Sequence, residues 1–190
     1  MIDHSQYSDK EIIEKTLASG DLSFFGELYD RYANKVFRKC YAMVQNESDA
    51  QDLTQTILTK AMLNLSKFKF RSTFATWLYR ITYNACLDFL RLKQKKRKVI
   101  ISNVDFEHSN VSEDEDGIES KKTLELEINR VNEIFEELAG PDRVLLLMKY
   151  QDGLTVPIIA DQLKISESAV KMRLHRARKK VVETYKEKFN

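Results

Sequence analysis

Along nearly every long stretch of this chain, apolar residues recur at intervals of three and four, the spacing that gathers side chains on one face of an α-helix. Phe25, Leu28, Tyr32, Val36, Cys40 and Val44 form one such stripe. Leu53, Ile57, Ala61 and Leu65 form a second, and Phe74, Trp77, Leu78, Ile81, Ala85, Phe89 and Leu92 a third. There is no internal repeat and no sheet signal. Five glycines and two prolines in 190 residues leave little punctuation for a turn-rich β fold. A hydrophobic content of 43% with ten Phe is ample for real cores. The pattern predicts an all-α protein.

Local signals divide that pattern into helices. Ser8 and Glu11 make a capping box, and Gly20 closes the helix it opens. A second helix begins near Ser23, and residues 46–48 interrupt it. Ser48 with Gln51 is the expected cap of a third helix, over 49–66. After KFKFRST (67–73), Ser72 or Thr73 caps a fourth, which dissolves into the basic run RLKQKKRK at Arg91 to Lys98. Residues 1–98 read as one helical domain. Residues 99–120 are polar, aperiodic and rich in acids from Asp105 to Glu119, and they read as a flexible linker. Helical signal resumes at Lys121 to Leu138 in a second domain, 121–190. Gly140 stops that helix, Pro141 opens the next, and Gly153 ends it. Thr155 is positioned to cap a short helix that accepts Pro157 in its first turn.

The formal net charge of +2 conceals a segregated distribution. Acids fill the linker, while bases crowd the end of the fourth helix and the segment KISESAVKMRLHRARKKV (164–181). In that segment Val170, Leu174, Ala177 and Val181 make an apolar stripe. Around it stand Lys171, Arg173, Arg176, Arg178, Lys179 and Lys180, and Ser166 is the expected cap. A short helix, a three-residue turn and a longer basic helix constitute a helix-turn-helix. Ile159, Ala160, Leu163, Ile165, Val170 and Leu174 supply its interior. A B-form major groove admits such a helix, with phosphates on both flanks. A membrane-surface helix would present bulkier apolar residues, and a solvated helix more interleaved acids.

Other chemistries find little support. Cys40 and Cys86 lie far apart in sequence within helical patterns, as small buried hydrophobes of a reducing compartment do. The histidines, His4, His108 and His175, are scattered and lack partners at motif spacing, so no metal, cofactor or catalytic site is expected. The N-terminus has no signal-peptide core, and no apolar run approaches the length of a membrane span. A cytoplasmic location is expected.

Two segments carry a family resemblance. LAGPDRVLLLMKYQDGLTVPIIADQLKISESAVKMRLHRARKKV resembles region 4 of the extracytoplasmic-function (group IV) bacterial sigma factors. FGELYDRYANKVFRKCYAMVQNESDAQDLTQTILTKAMLNLSKFKFRSTFATWLYRITYNACLDFLR resembles their region 2. The resemblance implies a promoter-specificity subunit with no chemistry of its own. Its partners would be core RNA polymerase (β′ clamp and β flap), promoter DNA and an anti-sigma factor.

Asp49, Asp52 and Gln55 share one helical face, opposite the apolar stripe. By resemblance they meet the β′ clamp; the plainer role for the two acids is stabilising a helix N-terminus. KFKFRST offers charge for phosphates and flat rings for unstacked bases. By resemblance Asn64, Lys67, Lys69, Phe70, Arg71, Ser72 and Thr73 form a pocket for a flipped minus-10 base. Phe68 and Phe70 suit either stacking or the core, and so does Trp77. Thr76, Arg80 and Asn84 share a polar face suited to strand or duplex contacts. The basic run Arg91 to Lys98 suits phosphates or the helix dipole equally. For the minus-35 element the resemblance points to Lys171, Met172, His175 and Arg176, with Arg173 and Arg178 on phosphates or in ion pairs. The chain departs from the family pattern at Met172, where a small polar residue is frequent, and at Lys164, a turn position often held by Gly. Val156 and Pro157 replace a usual aromatic-acidic start. Two rivals remain: a helix-turn-helix transcriptional regulator with an N-terminal helical interaction domain, and a DNA-acting enzyme.

Overall fold

The computed structural model describes residues 6–100 and 129–189, with the backbone alone for 96–100. His4, His108, the acidic stretch Asp105 to Glu119 and the first residues of the helix expected from Lys121 lie outside the described residues. The described residues are helical, with no strand among them. Contacts divide the chain into two units, Met1–Phe89 and Leu90–Asn190.

In the first unit, α1 (Asp9–Ser19) starts with the anticipated capping box. The Ser8 side chain accepts from the Glu11 N–H, and the Glu11 carboxylate accepts from the Ser8 N–H at 2.8 Å. Gly20, at φ +70°, ends the helix in the left-handed conformation that glycine adopts without a Cβ clash. Helix α2 (Ser23–Val44) buries all six residues of its predicted stripe. The cap of α3 (Glu47–Leu63) differs from expectation. Asn46 holds it, its Oδ1 accepting from the Asp49 N–H at 2.9 Å, and Ser48 falls inside the first turn. Gln45 at φ +52° turns the chain so sharply that extended Asn46 is already at the cap position. Leu53, Ile57 and Ala61 face inward as expected, joined by Leu58, while Leu65 is buried from a 3-10 turn, Leu65–Lys67.

Helix α4 (Phe74–Ile100) is capped by Thr73, whose Oγ1 accepts from the Thr76 N–H at 3.2 Å. Its buried face is rotated from the predicted one. Phe74, Leu78, Tyr83, Cys86 and Leu87 are buried, Trp77, Ile81, Ala85 and Phe89 are half-buried, and Leu92 is exposed. Thr82 lies at the centre of this face, fully buried. Its hydroxyl donates to the Leu78 carbonyl at 3.0 Å, so a polar residue occupies a core position without an unmet donor. Cys40 of α2 and Cys86 of α4 meet in the core as free thiols, Sγ to Sγ 3.7 Å.

In the second unit, residues 129–137 are helical (α5). Helix α6 (Gly140–Leu146) follows, with Pro141 in its first turn, and passes into a π-helical turn, Leu147–Gln151. Buried Arg143 bridges back to α5, its Nη2 donating to the carbonyls of Leu138 at 2.9 Å and Glu136 at 3.3 Å. Burial lowers its guanidinium pKa to about 10. Gly153 turns the chain at φ +64° into α7 (Val156–Leu163). Thr155 occupies the cap position with extended backbone, but its side chain makes no cap hydrogen bond. Pro157 removes one of the two N–H groups such a side chain would meet. Lys164 to Ser166 form the three-residue turn into α8 (Glu167–Phe189), which Ser166 caps through the Ala169 N–H at 3.2 Å. Ile159, Ala160, Val170, Leu174 and Ala177 are buried between the helices of this motif, while Leu163, Ile165 and Val181 are only half-buried.

Candidate nucleic-acid and polymerase interfaces

The loop between α3 and α4 is built around an aromatic cluster. Phe68 is buried at 5% exposure, its ring centroid 4.8 Å from Phe70, 5.9 Å from Phe74 and 5.5 Å from Trp77. Trp77 therefore belongs to the cluster as half-buried packing. Phe70 is different. It is 42% exposed and sits at φ +55°, a left-handed conformation that is a genuine outlier for a bulky residue. Such strain persists only where surrounding structure enforces it, and it collects at functional sites. The strained backbone directs one aromatic ring outward while its neighbour anchors the loop.

Polar residues of the loop have local duties. Asn64 donates from Nδ2 to the Lys60 carbonyl at 2.8 Å, and its Oδ1 accepts from Lys67 Nζ at 2.7 Å. Lys69 Nζ donates to the Ser66 carbonyl at 3.4 Å, and Ser72 Oγ to the Thr73 carbonyl at 3.3 Å. These bonds tie the loop down and leave Lys67, Lys69 and Arg71 exposed.

Beside the loop lies an open cavity of about 420 Å³, lined by Ser8, Asp9, Lys10, Ile13, Phe68, Phe70, Ser72, Thr73 and Phe74. The volume is within the range of small-molecule pockets. Of the residues assigned to a base pocket, Phe70, Ser72 and Thr73 line it; Asn64, Lys67, Lys69 and Arg71 do not. Its other wall, from α1, escaped the sequence reading, because nothing in the sequence links residues 8–13 to residues 68–74. That wall is held firmly. Asp9 accepts from Arg31 Nη1 at 3.1 Å and from the Tyr32 hydroxyl at 2.5 Å. Burial, then the Asp9 hydrogen bond, pushes the Tyr32 phenol above its ordinary pKa, so it stays a donor. Tyr32 in turn meets the Phe74 ring edge-on at 5.3 Å.

Thr76, Arg80 and Asn84 lie along one exposed face of α4, as expected. On α3, Asp52 and Gln55 are exposed and Asp49 is half-buried, on the side opposite Leu53, Ile57 and Ala61. The Asp49 N–H is engaged by the Asn46 cap, and Asp49 also counts among the acids of the first turn. The dipole role is thus available to Asp49, while Asp52, one turn on, is free of the capping geometry.

The burial pattern of α8 fixes its outward face. With Val170, Leu174 and Ala177 inward, a turn of about 100° per residue sets Ser168, Met172, His175, Arg176 and Lys179 on the opposite ridge. Lys171 and Arg178 fall on one flank, and Arg173 and Lys180 on the other. Met172, at 55% exposure, is no core residue, and Arg176 Nη2 donates to its Sδ at 3.4 Å. Ser168, at the exposed start of the ridge, was missed because a serine there also reads as first-turn polarity. The turn residue Lys164 has φ +54°, the left-handed conformation that explains why glycine suits this position.

Comparison with known proteins fits this arrangement. The Sigma-70 region 2 family matches residues 28–96, and the Sigma-70, region 4 family matches residues 128–181. The chain belongs to the sigma-70 family, in its extracytoplasmic-function group. The ECF RNA polymerase sigma factor SigW of Bacillus subtilis is 31% identical, over 86% of this chain and 90% of that protein. The RNA polymerase sigma factor NccH of Alcaligenes xylosoxydans is 28% identical, over 90% and 91%. Among solved structures, CnrH in complex with the cytosolic domain of CnrY has a TM-score of 0.58 at 22% identity. It covers 95% of this chain and 98% of that one. RpoE in complex with the anti-sigma factor NepR from Bartonella quintana has a TM-score of 0.61 at 18% identity, covering 87% and 98%. Both structures share the fold. As a sigma factor the chain serves promoter-specific initiation by RNA polymerase and is not an enzyme. The loop and its pocket fall within region 2, apart from the α1 wall, and the helix-turn-helix is the core of region 4.

Proposed function

We propose that residues 1–98 bind core polymerase and capture the melted minus-10 element, that residues 121–190 read the minus-35 element, and that the acidic linker 99–120 joins the two. In the first domain, Asp49, Asp52 and Gln55 meet the β′ clamp. A minus-10 base leaves the stack and enters the pocket beside Phe70, Ser72 and Thr73. Extrusion costs a few kcal/mol, offset by aromatic stacking and hydrogen bonds in the pocket. Lys67, Lys69 and Arg71, with Asn64 ordering the loop, attract the strand's phosphates. Thr76, Arg80 and Asn84 follow the adjoining strand or duplex.

In the second domain α8 lies in the major groove. Met172, His175 and Arg176 face base edges, and Arg176 suits the O6 and N7 acceptors of guanine. Lys171, Arg173 and Arg178 sit on phosphates at the groove walls, positioning the helix without reading sequence. The same surfaces are open to an anti-sigma factor, and the second domain also engages the β flap. Among the described residues no helix is long and apolar enough to cross a membrane, in keeping with a cytoplasmic protein.

One observation supports this reading above the rest. The chain combines, in one order, an outward aromatic on a strained basic loop and a helix-turn-helix with a polar reading ridge flanked by cations. Abortive transcription tests it. Core polymerase supplied with the protein should yield short products from defined promoters. If DNA is bound tightly but core is never directed to a start site, the protein is a helix-turn-helix regulator.

A further inference from the structure

The wall of the pocket that comes from α1 has no part in the roles above, yet its chemistry is selective. We propose that α1 closes the base pocket and that Asp9 selects, at one minus-10 position, a base bearing an amino group, rejecting thymine. This rests on the loop being the minus-10 pocket. The floor is apolar, from Ile13, Phe68, Phe70 and Phe74, and suits the faces of any base. The rim is polar, from Ser8, Asp9, Ser72 and Thr73.

Among the rim groups Asp9 carries the carboxylate, an acceptor group with roughly four lone-pair sites. Arg31 and Tyr32 occupy two of these, at 3.1 Å and 2.5 Å, and the side chain remains 29% exposed. Solvent meets the remaining acceptor sites of this part-exposed carboxylate until the donor of an inserted base replaces it. Cytosine, adenine and guanine supply an exocyclic amino group, whereas the one donor of an extruded thymine, its ring N3–H, lies between two carbonyl oxygens that a carboxylate repels. Arg31 is itself braced by Glu27 at 2.8 Å, so the carboxylate is oriented before any base arrives. Lys10, also on the lining, is 69% exposed and pairs with Glu14 at 3.7 Å, so the rim carries a solvent-facing cation beside Asp9.

The test uses holoenzyme reconstituted from core polymerase and the full-length chain, on a promoter library randomised across the minus-10 element. Wild type should favour amino-bearing bases over thymine by about tenfold at one position. Asp9→Asn, which keeps the shape but adds a donor, should admit thymine at that position alone. A second measurement needs no variant. At the preferred base, an analogue lacking only the amino group (pyrimidin-2-one for cytosine, purine for adenine, hypoxanthine for guanine) should lower initiation about tenfold. An unchanged preference in a folded Asp9→Asn protein, or full activity with the analogue, would overturn the role of Asp9. Specific initiation with no preference at any minus-10 position would instead overturn the base-pocket reading itself.

Discussion

The ridge of α8 makes a prediction that separates reading from positioning. Arg176 is exposed, and its Nη2 donates along that ridge to the Met172 sulfur at 3.4 Å. Truncation to alanine removes no buried contact, so unfolding stability should change by less than about 0.5 kcal/mol. A lost bidentate guanine contact costs about 1–3 kcal/mol, roughly a 5- to 150-fold rise in Kd for the preferred promoter. The loss should be confined to one minus-35 position, where the four bases become nearly equivalent. Arg173→Ala, on the flank, should weaken binding to all sequences alike and reduce the slope of log affinity against log salt by about one. Competition binding of holoenzyme to promoters varied one base at a time, at several fixed salt concentrations, measures both. If Arg176→Ala weakens every sequence equally while Arg173→Ala erases a base preference, α8 presents a different face to the groove.

Other outcomes follow from the same geometry. Asp52→Lys, at an exposed site outside the α3 cap, should leave the melting temperature unchanged and weaken core polymerase at least about tenfold; wild-type affinity in a titration would remove Asp52 from the contact. Lys164→Gly should be more stable than Lys164→Ala by about 1 kcal/mol in denaturant unfolding, because only glycine is unstrained at φ +54°. Cys40 and Cys86 are fully buried, and the Cys86 thiol is pushed above its ordinary pKa by its hydrogen bond with Cys40 and by burial. Neither thiol should react with a chromogenic disulfide reagent until the protein unfolds, and rapid labelling of the native state would contradict the packing.

How far the sequence reveals this structure depends on whether the signal is local. The stripe of α2 is read correctly at all six of its positions, which keep strict three- and four-residue spacing, although Met43 is buried beside it and Tyr29 and Tyr41 stay exposed off it. The face of α4 is displaced because Trp77, Ile81 and Phe89 are apolar flanks, while Thr82 is a core residue that satisfies its own hydroxyl. At the start of α3, Asn46 and Ser48 are both good caps, and the left-handed Gln45 decides between them. The helix-turn-helix is legible from its spacing and cap, but no glycine marks the left-handed backbone at Lys164 or Phe70. Half of the pocket is invisible in sequence, since Asp9 reaches it only through a tertiary clamp to Arg31 and Tyr32.

One chain, riding on polymerase, is proposed to choose start sites by contacting two promoter elements. Mapping the 5′ ends of transcripts made from genomic DNA by core polymerase, with and without the protein, tests it most directly. New, discrete 5′ ends should appear only with the protein and share two sequence elements at fixed spacing upstream. An unchanged pattern of ends, at protein concentrations that saturate core, would contradict it.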